Sequence, residues 1–130
     1  MTSSLEELHT EADVDRALER PFALIFKHSS RCGISARALA VVRRFAETEP
    51  MVPVLIVPVI ECRSASSYLA EQLGIRHQSP QAILLRRGRV LWHRSHSAIS
   101  REALMEAVAG LSAKPEPPPD DGGRSTAGEA

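Results

Sequence analysis

The sequence predicts an α/β fold, with a central mixed sheet of four to five strands and helices on both faces. Two continuous apolar runs, 22–26 and 53–60, are typical of strands that are buried on both sides. A stretch with helical spacing of apolar residues separates them, and a right-handed crossover through such a helix makes the two strands parallel. A hairpin pattern farther along the chain adds antiparallel strands.

The first elements follow from capping residues and apolar periodicity. Thr10 precedes acidic residues and an apolar stripe at helical spacing, which predicts a helix that closes at Pro21. A short strand over residues 5–8 could precede it. After the first buried strand, a helix with one apolar face is expected from Cys32 to about Glu47. The second strand contains two prolines, which favours a position at or near the edge of the sheet.

The remaining elements are a helix, a hairpin and a last helix. Residues 65–73 predict a helix that ends at Gly74, a common residue after a helix C-terminus. Residues 82–92 predict a β-hairpin that turns at Gly88, and a final helix begins near Ser100. The resulting order, α-β-α-β-α-β-β-α, is the plan of a thioredoxin-like fold.

Length and composition predict one domain followed by a tail. The 130 residues are 43% hydrophobic and 25% charged, as in ordinary globular proteins, and suit one thioredoxin-like domain over 1–112. Residues 113–130 are rich in proline, glycine and acidic residues without an apolar period, so we expect a disordered tail. Because no membrane-spanning window and no signal peptide are visible, we expect a cytoplasmic protein without a membrane partner.

The charge pattern argues against several kinds of partner. Residues 21–112 carry twelve bases against six acids, a surplus that could attract an anionic ligand. The basic hairpin has few aromatic residues for stacking on bases and no nucleic-acid-binding motif, so nucleic acid is not expected. The histidines lack the spacing and companion ligands of a metal site, and we expect no metal and no tightly bound cofactor.

Cys32 is the candidate nucleophile. It directly follows a buried strand and stands at the start of the amphipathic helix. The unpaired N–H groups at a helix N-terminus stabilise a thiolate, and Arg31 and Lys27 are available cations nearby. His28 can add charge or transfer a proton. We therefore expect Cys32 to be a reactive cysteine rather than a buried structural one.

The residue three positions after Cys32 decides which thiol chemistry is available. A Cys-x-x-Cys pair resolves its own mixed disulfide by attack of the second thiol. Here that position holds Ser35, which cannot attack; we expect its hydroxyl to donate a hydrogen bond to the thiolate instead. The site is predicted to be monothiol, so that another thiol must clear a mixed disulfide on Cys32.

Two further features border the predicted site. Ser79 and Pro80 precede the hairpin, and a cis peptide bond there would expose the backbone of Ser79 to a bound thiol ligand or peptide. Cys62 follows the second buried strand, at the same end of the parallel pair as Cys32, and is a candidate resolving thiol. Neighbouring strand ends meet the distance requirement of a disulfide only in the right register, so a half-buried strand-end residue is the alternative.

These segments together resemble a known family. The stretches similar to the YtxJ-type monothiol bacilliredoxin family are Phe26-Lys27-His28-Ser29-Ser30-Arg31-Cys32-Gly33-Ile34-Ser35, Val59-Ile60-Glu61, Ser66-Ser67-Tyr68-Leu69-Ala70-Glu71, His77-Gln78-Ser79-Pro80-Gln81-Ala82 and the hairpin through His96. The similarity spans roughly residues 8–110. Cys62 and the tail lie outside the family pattern.

The resemblance implies a thioredoxin-like protein of the bacillithiol system. Its members remove bacillithiol from protein mixed disulfides, with Cys32 as the attacking residue and Pro80 as the cis-proline. Together with the arguments from the residues given above, the resemblance predicts catalytic roles for Cys32, Ser35 and Arg31. The positions expected to contact substrate are Lys27, His28, Gly33, Ser79 and Pro80.

The sequence supports one function and leaves two alternatives. In the first, Cys32 exchanges with protein mixed disulfides; the partners are S-thiolated proteins, a low-molecular-weight thiol such as bacillithiol as co-substrate, and a disulfide reductase. The second is an iron–sulfur carrier, because Cys32-Gly33-Ile34-Ser35 resembles the Cys-Gly-Phe-Ser of monothiol glutaredoxins, although their Gly-Gly-x-Asp element is missing. The third is a thioredoxin-like binding module whose cysteine is not turned over.

Overall fold

A computed structural model describes residues 5–113 of the chain. The five strands are β1 (Glu6–Glu7), β2 (Ala23–His28), β3 (Val54–Pro58), β4 (Gln81–Arg86) and β5 (Arg89–Ser95). The four α-helices are α1 (Glu11–Leu18), α2 (Gly33–Thr48), α3 (Arg63–Leu73) and α4 (Arg101–Ala113). The predicted α/β fold class and element order are confirmed. The tail predicted over 113–130 lies outside the described residues, except for Ala113, which ends α4.

The strands form one mixed sheet in the order β1-β3-β2-β4-β5. β1, β3 and β2 are parallel, whereas β4 runs antiparallel to both β2 and β5. The proline-containing strand β3 is second from the edge, next to the two-residue strand β1. This agrees with the position that its prolines predicted.

Helices cover both faces of the sheet. Side chains alternate along β2, so Ala23 and Ile25 join the core under α1 and α3, while Leu24 and Phe26 join the core under α2 and α4. The central strands are almost wholly apolar because both of their faces are buried. None of the helices within residues 5–113 is long and apolar enough to span a membrane.

The local signals that mark element ends are present. Thr10 caps α1, where its side chain accepts a hydrogen bond from the Asp13 backbone N–H and the Asp13 carboxylate accepts from the Thr10 N–H. Gly74 closes α3 with a left-handed φ of 67°. At the hairpin turn, Gly88 has φ 79°, and an added Cβ would lie 3.1 Å from the Leu18 carbonyl oxygen.

Candidate active site

Three chain segments meet at one edge of the sheet. β2 is parallel to β3 and antiparallel to β4, so the ends of β2 and β3 lie beside the start of β4. Lys27 near the end of β2 pairs with Gln81 at the start of β4, and the Val59 N–H donates to the His28 carbonyl at 3.0 Å. The loops that carry Cys32, Cys62 and the segment before β4 are therefore neighbours, as the sequence predicted.

Cys32 is the N-cap residue of α2. Its backbone is extended, with φ −122° and ψ 124°, and its side chain makes no capping hydrogen bond. The thiol is free and partly exposed, and the first turn of α2 contains no acidic residue. Cys32 thus lies at the end of the helix whose unpaired N–H groups stabilise an anion.

Ser35 does not take the position expected for it. It is fully buried, and its Oγ accepts a hydrogen bond from the Ser29 N–H at 3.0 Å and is hydrogen-bonded to His28 Nδ1 at 2.8 Å. Among the described residues, no hydrogen bond joins Ser35 to Cys32. The expectation that the Ser35 hydroxyl donates a hydrogen bond to the thiolate is therefore corrected. From the first turn of α2 this side chain points inward, where its hydrogen bonds hold the loop between β2 and α2.

His28 is the second member of this loop network. It is half-buried, its ring stacks on Phe26 with the centroids 5.8 Å apart, and burial lowers its pKa against the opposing effect of Glu61. The Ser30 hydroxyl donates to Glu61 Oε2 at 3.2 Å. The loop that carries Cys32 is thus held from within by Ser35 and from the side by the segment after β3.

Lys27 is a buried amine rather than a surface cation next to Cys32. It is only 1% exposed, and strand alternation turns it to the α1/α3 face, where its Nζ lies 3.1 Å from His77 Nδ1. Burial lowers its pKa to about 8. Of the two cations expected beside the thiol, Arg31 is the exposed one.

The other predicted contact residues leave room in front of the thiol. Gly33 is exposed, and an added Cβ would meet no atom within 4 Å. The Ser79-Pro80 peptide bond is cis, as predicted, and Pro80 is buried. The Ser79 hydroxyl is buried and finds no hydrogen-bond partner among residues 5–113. Gly33, the residue next to Cys32, thus has open space around it.

Cys62 has surroundings unlike those of Cys32. It is a free thiol at the N-cap of α3 and packs against the core under α1 and α3. Burial, together with the carboxylates of Glu61, Glu7 and Asp13, raises its pKa. Glu7 lies in β1 and Asp13 in α1, so two of these carboxylates act on Cys62 from elements other than β2. The role of Cys62 as a resolving thiol stays a prediction.

Sequence reasoning missed the partners that organise the site. From the sequence, four of them were named only within the stretches shared with the family and were assigned no role at the site: His77, Ser66, Gln81 and Glu61. Glu61 directly follows the second buried strand, and this position at the active edge is the signal that could have identified it. Within residues 5–113, no group of three or more His, Cys, Asp or Glu residues is arranged to hold a metal ion.

Comparison with protein families agrees with this geometry. The sequence model of the family described as monothiol bacilliredoxin BrxC matches residues 6–104, which is most of the chain. The chain belongs to the monothiol bacilliredoxin BrxC family. The resemblance drawn from the sequence motifs is thereby confirmed, and the chain has a thiol–disulfide redox function of the monothiol type.

Solved structures are similar across most of the chain. A provisionally assigned oxidoreductase with a thioredoxin fold is 28% identical, with a TM-score of 0.74, over 80% of this chain and 93% of its own. Thioredoxin from Trypanosoma brucei brucei is 14% identical, with a TM-score of 0.73, over 88% and 96%. Oxidised thioredoxin O2 from Arabidopsis thaliana is 18% identical, with a TM-score of 0.68, over 85% and 96%. The bacilliredoxin chain thus has a thioredoxin-like fold.

Proposed function

We propose that this bacilliredoxin removes a low-molecular-weight thiol, bacillithiol, from protein mixed disulfides through attack by Cys32. One observation carries the proposal: a free, partly exposed cysteine caps α2, and a buried serine occupies the place of a second motif thiol. Such a site can accept an adduct but has no resolving thiol within its own motif. Accepting adducts from other proteins is the task that suits this arrangement.

The reaction has two exchange steps. The Cys32 thiolate attacks the small-thiol sulfur of a mixed disulfide, a new disulfide forms on Cys32, and the protein thiolate leaves and takes up a proton. A second small thiol then attacks the adduct as its thiolate. This step releases the symmetric small-thiol disulfide and frees Cys32. The released disulfide carries the two oxidising equivalents away, and a disulfide reductase would consume it.

The surroundings of Cys32 suit a small, acidic thiol. Arg31 is an exposed cation beside the nucleophile, and a thiol that carries carboxylates would be attracted to it. The open space over Gly33 leaves room for the adduct. The backbone of Ser79, just before β4, is the proposed partner for the extended chain of the substrate.

Intact-mass spectrometry tests the identity of the thiol. The chain is isolated from its own host with free thiols blocked at lysis, and the mass added to Cys32 is measured. We expect the mass of bacillithiol. An adduct of glutathione, mycothiol or coenzyme A would contradict the proposed substrate while leaving the exchange chemistry intact.

Two alternatives have readouts of their own. An iron–sulfur carrier would be brown after anaerobic purification and would show charge-transfer absorption. A binding module without turnover would bind its partners equally well as Cys32→Ser, and the parent chain would show no exchange. The cytoplasmic location expected from the sequence stays a prediction.

A further inference from the structure

Lys27 is a buried amine without an acidic partner among residues 5–113. It is 1% exposed, and the ion pairs recorded among residues 5–113 involve other residues, His9 with Glu7, Arg16 with Asp13, and Arg20 with Glu6. A buried ammonium group is unfavourable unless it is hydrogen-bonded. An apolar side chain would suit this core position better, so the contact that Lys27 makes calls for an explanation.

That contact reaches the segment before β4. The Lys27 Nζ lies 3.1 Å from His77 Nδ1, and Ser66 Oγ lies 3.4 Å from the same nitrogen. Gln81, which pairs with Lys27 across the sheet and is also 1% exposed, donates through Nε2 to the Arg76 carbonyl at 3.2 Å. Two buried side chains that stand side by side therefore hold residues 76 and 77.

The segment depends on these side chains for its position. In the described part of the chain, the backbone groups of residues 77–79 make no hydrogen bond to other backbone groups. The antiparallel register of β2 and β4 places these residues opposite the loop that leads to Cys32. A displacement of this segment would therefore change the surface next to the nucleophile.

The chemistry of the pair is consistent with one fixed arrangement. His77 Nδ1 must be unprotonated to accept a hydrogen bond from the Lys27 amine. Burial and the charge of Lys27 both lower the pKa of His77, which favours the neutral ring that Nδ1 needs in order to accept. The Lys27 side chain is buried and cannot itself touch a substrate.

We propose that Lys27 and His77 are positioning residues, whose hydrogen bond holds segment 77–80 beside Cys32. The position of this segment then sets how fast Cys32 reacts with a mixed disulfide on the cysteine of a peptide. The proposal rests on the proposed function only in requiring that Cys32 exchange with peptide disulfides. It predicts that loss of the hydrogen bond impairs reaction with extended substrates and spares reaction with small reagents.

Three variants separate this role from others. Lys27→Met removes the donor from a side chain that the substrate cannot reach. His77→Leu removes the acceptor, and His77→Asn keeps an acceptor near the position of Nδ1. Each is reacted with a peptide whose cysteine is joined to thionitrobenzoate and with the small reagent dithiobis(nitrobenzoate), and the rate of Cys32→Ala is subtracted. With the peptide, Cys32 attacks the peptide sulfur, and thionitrobenzoate leaves with the electron pair of the broken bond.

The ratio of the peptide rate to the small-reagent rate is the readout. We expect it to fall about five-fold in Lys27→Met and His77→Leu, the effect of one typical hydrogen bond, and to stay near the wild-type value in His77→Asn. An unchanged ratio in the first two variants would overturn the proposal. So would an equal fall in His77→Asn, because the ring itself would then contact the peptide, or a parallel fall with both reagents, which would indicate a general structural role.

Amide hydrogen exchange gives a second test that needs no thiol chemistry. The amide of His96, which donates to the Pro80 carbonyl of this segment at 3.0 Å, should exchange faster in Lys27→Met and His77→Leu than in wild type and His77→Asn. Equal exchange in all four proteins would contradict the proposal. Failure of the proposed function shows differently: bacillithiol would not move to wild-type Cys32, while the rate ratio and the exchange pattern would still report on the Lys27–His77 pair.

Discussion

At the scale of single residues, the loop around Cys32 is held by side chains that bond to one another rather than to sulfur. Ser35 binds His28 and the Ser29 backbone, and Ser30 binds Glu61. The partly exposed thiol is thus presented at the helix terminus by a network that does not include it. This separation means that the stability of the loop and the reactivity of Cys32 can be measured independently.

Ser35→Ala should lower stability without removing the nucleophile. The substitution leaves the Ser29 N–H and His28 Nδ1 without their buried partner, and we expect the free energy of unfolding to fall by about 1–3 kcal/mol. Urea denaturation measures the change, and Ser67→Ala on the exposed surface of α3 is the matched control. If stability were unchanged and alkylation of Cys32 by iodoacetamide slowed instead, Ser35 would serve the thiolate after all.

The sequence predicted where Cys32 lies but not what surrounds it. A buried strand followed by an amphipathic helix is a local pattern, and it placed Cys32 at a helix start without any long-range information. The partner of Lys27 is fifty residues away at His77. No local pattern shows which buried polar groups the fold will bring together, so Lys27 was expected to be a cation available to Cys32, whereas it is buried.

At the scale of elements, helix ends and buried strands were predictable because their signals are local. The capping box at Thr10, the left-handed Gly74 and the apolar runs of β2 and β3 each determine a boundary within a few residues. β1 has two residues, and its pairing with β3 depends on the tertiary fold rather than on its own sequence. From the sequence, a strand at this position could therefore be suggested but not predicted.

Two glycines make a matched test of element ends. Gly74 has a left-handed φ of 67°, so Gly74→Ala should lower the free energy of unfolding by about 1 kcal/mol. Gly110 lies within α4, where an added Cβ meets no atom within 4 Å, so Gly110→Ala should raise it by about 0.5–1 kcal/mol. Chemical denaturation measures both. Equal effects of the two substitutions would show that backbone conformation does not decide the outcome at Gly74.

At the scale of the whole molecule, the core is built from two apolar layers with a polar inclusion at the active edge. The layer under α1 and α3 contains Lys27 and Gln81 beside the apolar residues of β2 and β4. Because the Lys27 amine is buried in this layer, the stability of the domain depends on whether that amine is protonated.

Lys27 should make stability increase with pH in the alkaline range. Its pKa is about 8 in the folded chain against an ordinary value of 10.5, so the unfolded chain binds more protons between these values. The contribution of Lys27 to the free energy of unfolding therefore rises as pH increases through this window. Relative to wild type, Lys27→Met should be most stable near neutral pH and should lose this advantage toward about pH 10.

Urea denaturation of both proteins across this range measures the difference. Other groups that titrate at alkaline pH are common to both proteins and cancel in the comparison. A stability difference that does not vary with pH would show that the Lys27 amine titrates alike in the folded and unfolded chains.

The central claim is that Cys32 takes an adduct from another protein and cannot clear it alone. The direct measurement incubates a bacillithiolated protein with this chain and follows both intact masses. We expect the adduct to move to Cys32 stoichiometrically and then stop, until added bacillithiol restarts turnover; Cys32→Ala should abolish the transfer and Cys62→Ala should leave it intact. Loss of the adduct from both proteins, with a Cys32–Cys62 disulfide in its place, would contradict the monothiol account and make Cys62 the resolving residue.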